Sequence, residues 1–225
     1  ENTKNIGCFM DDTKLSIITK HMHYGCDEAG RGCLNGPVVV ASVLLGHADI
    51  PALNDSKKLT EKSRNKLFDE IMEKADDVSV VEISPKEIDE LNILKASLYG
   101  MRLSWEKSRQ RSGILLVDGN KVPDMNGLNV SACHAIVKGD GRVPSISAAS
   151  IIAKVTRDRL LEDMDKIYPE MQYAKHKGYG TALHLKLMRE HGINDTYRMS
   201  FNPVKEVLAY RNGVQPTSGE QVSLF

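Results

Sequence analysis

"YGCDEAGRGCLNGPVVVASVLL" runs from Tyr24 to Leu45. A short apolar stretch ends in two adjacent acids, Asp27 and Glu28. A glycine cluster interrupted by Arg31 follows, then a run rich in β-branched residues. Glycine loses more backbone freedom on folding than any other residue, so such a cluster needs a reason. Gly30, Gly32 and Gly36 come close to a dinucleotide-binding fingerprint. That motif requires the glycines to open a helix whose N-terminus meets a pyrophosphate. Here Pro37 and then Val38, Val39 and Val40 follow, which is strand chemistry. No lysine-serine or lysine-threonine pair closes the cluster into a phosphate-binding loop. The stretch therefore reads as two strands joined by a glycine-rich turn, with the acids where the first strand ends.

Working outward, Thr60 is placed to cap a helix over "EKSRNKLFDEIMEKA", with Leu67, Ile71 and Met72 as its apolar positions. "VSVVEIS" (78–84) is a third strand. Ser84-Pro85-Lys86-Glu87 is a capping box with proline at the first helical position. Helical character continues through "LNILKASLYGMRLSWEKSRQ" (91–110). "GILLVDGN" (113–120) is a buried strand stopping at Asp118, and "ACHAIVKGD" (132–140) is a fifth strand. "SAASIIAKVTRDRLLEDMDKIY" (147–168) is a long helix, and further helices cover Thr181 to about His191 and residues 203–210. Strands and helices in this order predict a mixed α/β layered fold. Residues 1–20 read as a loose lead-in, 21–211 as one domain, and 212–225, "NGVQPTSGEQVSLF", as a flexible tail.

Composition is that of an ordinary globular chain, with 41% hydrophobic and 27% charged residues among 225. Thirty basic residues balance thirty acidic ones, so no global positive field marks a nucleic-acid binder, although a local basic face is compatible with zero net charge. The four cysteines form no C-x-x-C pair, which suggests a reducing compartment. No apolar stretch is long enough to span a membrane, and a cytoplasmic protein is the expectation.

Asp27, Glu28, Asp118 and Asp140 all stand at the ends of apolar strand-like stretches. Carboxylates gathered in this way repel unless a cation sits between them. Hard oxygen ligands suit Mg²⁺ or Mn²⁺, which keep positions open for water and substrate phosphate. Two such ions could serve phosphodiester hydrolysis. Neighbouring side chains on a regular strand point to opposite faces, so spacing leaves open whether Asp27 and Glu28 share an ion. Asp118 before Gly119 could instead cap a turn. Asp158 rivals Asp140 as the fourth acid, but its place in an arginine-flanked helix favours a surface ion pair. His21 and His23, without further ligands nearby, read as surface residues.

Several of these segments together resemble the ribonuclease HII family. "DEAGRG" (27–32), "GPVV", "DSKKLT" (55–60), "VDGN", "SAASIIAKVTRD" (147–158) and "HKGYGT" (176–181) match its motifs in family order. The related HIII family typically carries lysine where Arg31 stands and has an extra N-terminal domain. The resemblance implies an RNase H-like fold, a five-stranded mixed sheet flanked by helices with a helical C-terminal region. It implies Mg²⁺- or Mn²⁺-dependent cleavage of RNA in RNA–DNA hybrids and 5′ of ribonucleotides embedded in duplex DNA, leaving 3′-hydroxyl and 5′-phosphate ends. It puts the acidic quartet on Asp27, Glu28, Asp118 and Asp140, ribose recognition on Gly30, Arg31 and Gly32, stacking on Tyr179, and phosphate contacts on Lys57 and Lys58. Cys33 and Asn35 depart from the family's usual proline and alanine. "QVSLF" at the end of the tail looks like a motif that docks on the DNA sliding clamp, with Gln221, Leu224 and Phe225 as contacts. A monomer is expected. The competing readings are a nucleic-acid-binding module without turnover and a nucleotide-cofactor enzyme.

Overall fold

The computed structural model describes residues 11–53, 59–110 and 112–212. Its centre is a five-stranded sheet in the order β3-β2-β1-β4-β5. Strand β1 (His23–Ala29) turns back through the glycine cluster into β2 (Val38–Leu44), and the two pair antiparallel with Asp27 opposite Ala41. Strand β3 (Asp77–Ile83) extends that side antiparallel to β2. On the other side β4 (Ile114–Asp118) and β5 (Ala132–Ile136) run parallel to β1. Three neighbouring strands therefore end at the same edge of the sheet.

All seven residues of β2 are buried, because both of its faces are covered. Val39, Ala41 and Val43 face α2 (Glu61–Lys74) and α5 (Pro144–Ile167), while Val38, Val40 and Leu44 face the other way, toward α4 (Ile93–Lys107) and its Trp105. The start of α5 lies so close to β1 that a Cβ on Gly25 would stand 2.1 Å from the carbonyl carbon of Ser145. A third cluster joins α5, α6 (Tyr173–His176), α7 (Ala182–His191) and α8 (Asn202–Arg211) to Leu34 of the glycine-rich turn. The C-terminal helices thus brace the turn from below.

The local signals explain most element boundaries. Thr60 Oγ1 accepts the Ser63 amide at 3.2 Å, and Ser84 and Glu87 exchange the reciprocal bonds of a capping box at the head of α3 (Pro85–Leu91). Three features differ from the sequence expectation. Asp12–Ile18 forms a helix, α1, capped by Asp11, within the stretch expected to be a loose lead-in; only Leu15 of it is buried, too little to leave a periodicity. Helical character does not run unbroken through Asn92, whose φ of +67° ends α3 while its side chain accepts the amides of Leu94 and Lys95 to begin α4. Met72 is 50% exposed, so Leu67 and Ile71, with the partly buried Phe68, anchor α2. No helix among the described residues is long and apolar enough to cross a membrane.

Candidate active site

The parallel strands explain how distant acids meet. Asp27 and Glu28 lie near the C-terminal end of β1, and Asp118 is the last residue of the adjacent, parallel β4. Asp140 lies in a 3₁₀ turn (Gly139–Gly141) just beyond β5, reached through Lys138 in the left-handed conformation. Its backbone N–H donates to Asp118 Oδ1 at 3.3 Å. Asp27 and Glu28 alternate in facing: Asp27 belongs to the face covered by α5 and takes a hydrogen bond from Ser150, while Glu28 reaches Arg31 Nη1 with Oε1 at 3.1 Å.

Burial is the largest influence on both β1 acids. It pushes Asp27 well above the usual carboxylate range, and the charges of Glu28 and Asp118 push it further; the Ser150 hydroxyl and the Glu28 amide, which donates to Asp27 Oδ1 at 2.7 Å, oppose this in part. Glu28 is raised by burial too, with Arg31 pulling back and Asp118 adding to the rise. Glu28 Oε2 is buried with no hydrogen-bond partner among the described residues. Among those residues, no three His, Cys, Asp or Glu side chains already close on a common point. What the fold supplies is a set of hard oxygen donors at one sheet edge, mutually repelling, with one buried oxygen unsatisfied. That donor chemistry fits a divalent cation such as Mg²⁺ or Mn²⁺.

The glycine-rich turn is held from inside by two buried arginines that the sequence reading did not single out. Arg157 of α5 donates Nε to the Pro37 carbonyl at 3.1 Å, Nη1 to Lys177 at 2.8 Å and Nη2 to Asn35 at 3.0 Å. Arg198 donates Nε and Nη2 to Gly36 at 3.1 and 2.9 Å and Nη1 to Arg31 at 3.0 Å. This assigns the glycines different tasks. Gly30 has φ +97°, and a Cβ there would stand 2.1 Å from Arg157 Nε, so its smallness serves internal packing. A Cβ on Gly32 would meet nothing within 4 Å, so that position is open to an approaching molecule.

Tyr179 faces the turn: its main chain bridges to Cys33, its ring is 45% exposed, and Lys154 Nζ lies 5.7 Å from the ring centroid. Lys154 also pairs with Asp158 at 2.7 Å. Asp158 is therefore ion-paired as expected, but it is only 8% exposed and sits beside Tyr179, not on the surface. Of the two candidates for a fourth acid, Asp140 is the one at the strand ends. His21 is exposed, whereas His23, expected at the surface, is partly buried on β1, and burial lowers its pKa. Lys57, Lys58, Gln221, Leu224 and Phe225 lie outside the described residues.

Comparison with known proteins bears directly on this arrangement. The sequence model of ribonuclease HII matches residues 24–204. The chain belongs to the ribonuclease HII family. The ribonuclease HII of Shewanella oneidensis is 49% identical over 201 residues, covering 88% of this chain and 96% of that protein. Among solved structures, the ribonuclease H2 of Pyrococcus horikoshii OT3 aligns with a TM-score of 0.74 at 28% identity, over 85% of this chain and 99% of that one. The ribonuclease HII of Archaeoglobus fulgidus, solved in complex with PCNA, aligns with a TM-score of 0.64 at 30% identity, over 81% and 96%. The family and the fold agree on a ribonuclease H, an endonuclease that hydrolyses phosphodiester bonds, built on the RNase H-like sheet. That removes the binding-only and cofactor-enzyme readings of the ribonuclease HII chain.

Proposed function

We propose that this ribonuclease HII uses Asp27, Glu28, Asp118 and Asp140 to hold Mg²⁺ or Mn²⁺ and cleaves RNA–DNA hybrids and DNA duplexes 5′ of embedded ribonucleotides, leaving 3′-hydroxyl and 5′-phosphate ends. The observation that carries it is the shared edge of β1, β4 and β5, where three neighbouring backbone segments bear acids, together with the buried and unpartnered Glu28 Oε2. A divalent ion held there would supply Lewis acidity, activating a water at neutral pH and stabilising charge on the leaving 3′-oxygen. The protein's own residues do the rest. Burial and mutual repulsion keep Asp27 and Glu28 under electrostatic stress that a cation relieves. Arg31, half exposed beside Glu28, and the open main chain at Gly32 stand where a ribose 2′-hydroxyl would be read; that hydroxyl is what separates RNA from DNA at one nucleotide. Gly30 holds the same loop in shape. The exposed Tyr179 ring stacks on sugar or base, and Lys57 and Lys58 contact phosphates as compact charges.

The tail adds a tether. Gln221, Leu224 and Phe225 dock on a DNA sliding clamp, a reading supported by the clamp complex of the Archaeoglobus relative. One chain, 21–211, carries every group that the chemistry needs, so a monomer working on cytoplasmic DNA suffices. The deciding experiment is cleavage of a DNA duplex bearing one ribonucleotide, run with Mg²⁺, with Mn²⁺ and with chelator. Cleavage on the 5′ side of the ribonucleotide that stops with chelator supports the assignment; metal-independent cleavage, or equal cleavage of all-DNA duplex, overturns it.

A further inference from the structure

Behind Tyr179 lie two imidazoles that the chemistry above leaves unused. His176 and His184 stack with ring centroids 3.8 Å apart and planes inclined by 17°, both buried, among Tyr173 and Tyr197. Their hydrogen bonds fix where each proton sits. Gly178 N–H can only donate, and it lies 3.1 Å from His176 Nδ1, so that nitrogen is the bare acceptor and Nε2–H donates to the Met171 carbonyl at 2.8 Å. His184 is the reverse. The Tyr179 carbonyl can only accept, and it lies 2.9 Å from His184 Nδ1, so Nδ1 carries the proton and Nε2 accepts from the Tyr197 hydroxyl at 2.8 Å. His176 is thus neutral, burial keeps His184 neutral as well, and the two rings are in opposite tautomers, with ring nitrogens bonded to the main chain on either side of the Tyr179 ring. The backbone bonds Tyr179 N–H to His176 O (2.9 Å) and Thr181 N–H to Tyr179 O (2.8 Å) complete a closed loop of contacts.

We infer that His184, in the Nδ1–H tautomer with its Nε2 satisfied by the Tyr197 hydroxyl and backed by His176, is a positioning residue that fixes the main chain of Tyr179 so that its half-exposed ring meets substrate. The Tyr197 hydroxyl matters because a neutral imidazole has one proton to place. Once the Tyr179 carbonyl has taken it at Nδ1, Nε2 of the neutral ring can only accept, and the Tyr197 hydroxyl, which can donate, satisfies it. Burial holds His184 down at about 4, with the repulsion that two stacked imidazolium rings would suffer adding to the effect, and lowers His176 as well against its bond to the Met171 carbonyl and the pull of Asp165, so the neutral pair persists at neutral pH. The device also gives the C-terminal helices a part in recognition: α7 supplies His184, and the segment before α8 supplies Tyr197.

The inference rests on the stacking role of Tyr179 proposed above, so the test separates the two. Steady-state kcat and KM are measured on a duplex with one ribonucleotide for His184→Leu, His184→Asn, Tyr197→Phe and Tyr179→Ala, and for His184→Leu combined with Tyr179→Ala. Loss of one hydrogen bond predicts that KM rises roughly threefold to tenfold in His184→Leu, with kcat little changed. His184→Asn, whose amide can still donate to the Tyr179 carbonyl, recovers most of that, and the effect vanishes when Tyr179 is already alanine. Hydrogen exchange at the amides of Gly178, Tyr179 and Thr181 quickens in His184→Leu and in the milder Tyr197→Phe. Unchanged exchange at those amides overturns the inference whatever the kinetics, as does a His184→Leu effect undiminished in the Tyr179→Ala background. If Tyr179→Ala alone cleaves like wild type while exchange still quickens, the positioning stands and the stacking role falls.

Discussion

Arg198 Nη1 donates to the main-chain carbonyl of Arg31 at 3.0 Å, across 167 residues of sequence. A residue from the C-terminal region thereby sets the loop that presents the exposed guanidinium of Arg31. Its remaining two donors take the Gly36 carbonyl, and Arg157 takes those of Pro37, Lys177 and Asn35. The turn between β1 and β2 is short of side chains, and these two buried forks supply the partners that its inward carbonyls would otherwise lack. Burial and the neighbouring Arg157 bring Arg198 down to about 10, which leaves it charged at neutral pH.

Arg198→Met should consequently destabilise the protein by about 2–5 kcal/mol, because the buried Gly36 carbonyl and the partly buried Arg31 carbonyl lose their donors. Arg198→Lys, keeping one charge and losing the fork, should cost less. Urea unfolding midpoints check the order. A methionine variant as stable as wild type would mean that the turn holds its own shape.

Gly30 and Gly32 look alike in sequence and should behave oppositely when changed to alanine. At Gly30 the new Cβ meets Arg157 Nε at 2.1 Å on a backbone with φ +97°, so Gly30→Ala should lower the thermal midpoint markedly. At Gly32 there is nothing within 4 Å, so Gly32→Ala should melt like wild type yet cleave a ribonucleotide-bearing duplex more slowly. Calorimetry and cleavage rates on both variants decide the point; Gly32→Ala cleaving at the wild-type rate would remove Gly32 from substrate contact.

The contrast between these two glycines marks how far the sequence could be read. The strands, the capping box at Ser84 and the hairpin through Gly36 announce themselves by local chemistry, since apolar β-branched runs, proline and capping residues act within a few positions. That the acids of β1, β4 and the turn after β5 come to one edge of the sheet follows from parallel pairing, which depends on the whole sheet. Arg157 left a faint trace: Ala149, Ala153, Arg157 and Leu161 recur every four residues on one buried face of α5, so an arginine in that stripe must point inward. Arg198 left none, because its partners are backbone atoms 162 and 167 residues away. Asn92 broke a helix that its neighbours favoured by adopting φ +67°, a choice that no periodicity shows.

Asp27 yields a prediction on stability against pH. Burial, then Glu28 and Asp118, raise its native pKa above the unfolded value. The native state therefore favours the protonated carboxyl, and metal-free stability falls as pH rises from the ordinary carboxylate range, about 4, through the raised native value. Asp27→Asn removes that penalty while keeping an oxygen for the Glu28 amide. In chelator at neutral pH the variant should melt at a higher temperature than wild type, with the difference closing below about pH 4. Adding Mg²⁺ should raise the melting temperature of wild type more than that of Asp27→Asn, and cleavage by the variant should be abolished. Scanning calorimetry across pH, with and without the ion, reads both; a variant less stable than wild type in chelator would show that the buried charge is already compensated.

The tail prediction concerns Gln221, Leu224 and Phe225, which lie outside the described residues. The described chain ends at Asn212, in the turn after α8, and thirteen residues follow it. "GVQPTSGE" carries Gly, Pro and Ser with one charge, the composition on which the expectation of a linker rests. In "QVSLF" the glutamine can donate and accept hydrogen bonds, and Leu224 with Phe225 offers an apolar pair able to fill one pocket, the pattern of a few anchors that dominate a small interface. A clamp encircling DNA would then hold the nuclease near newly made duplex at a raised effective concentration. Deleting residues 221–225 should leave cleavage of a short oligonucleotide unchanged, since none of the strand-end acids is touched. The same deletion, or Leu224→Ala with Phe225→Ala, should weaken binding to a bacterial clamp by about thirtyfold or more. Surface plasmon resonance on immobilised clamp measures it, and equal affinity of full-length and truncated enzyme would show that the tail is not the tether.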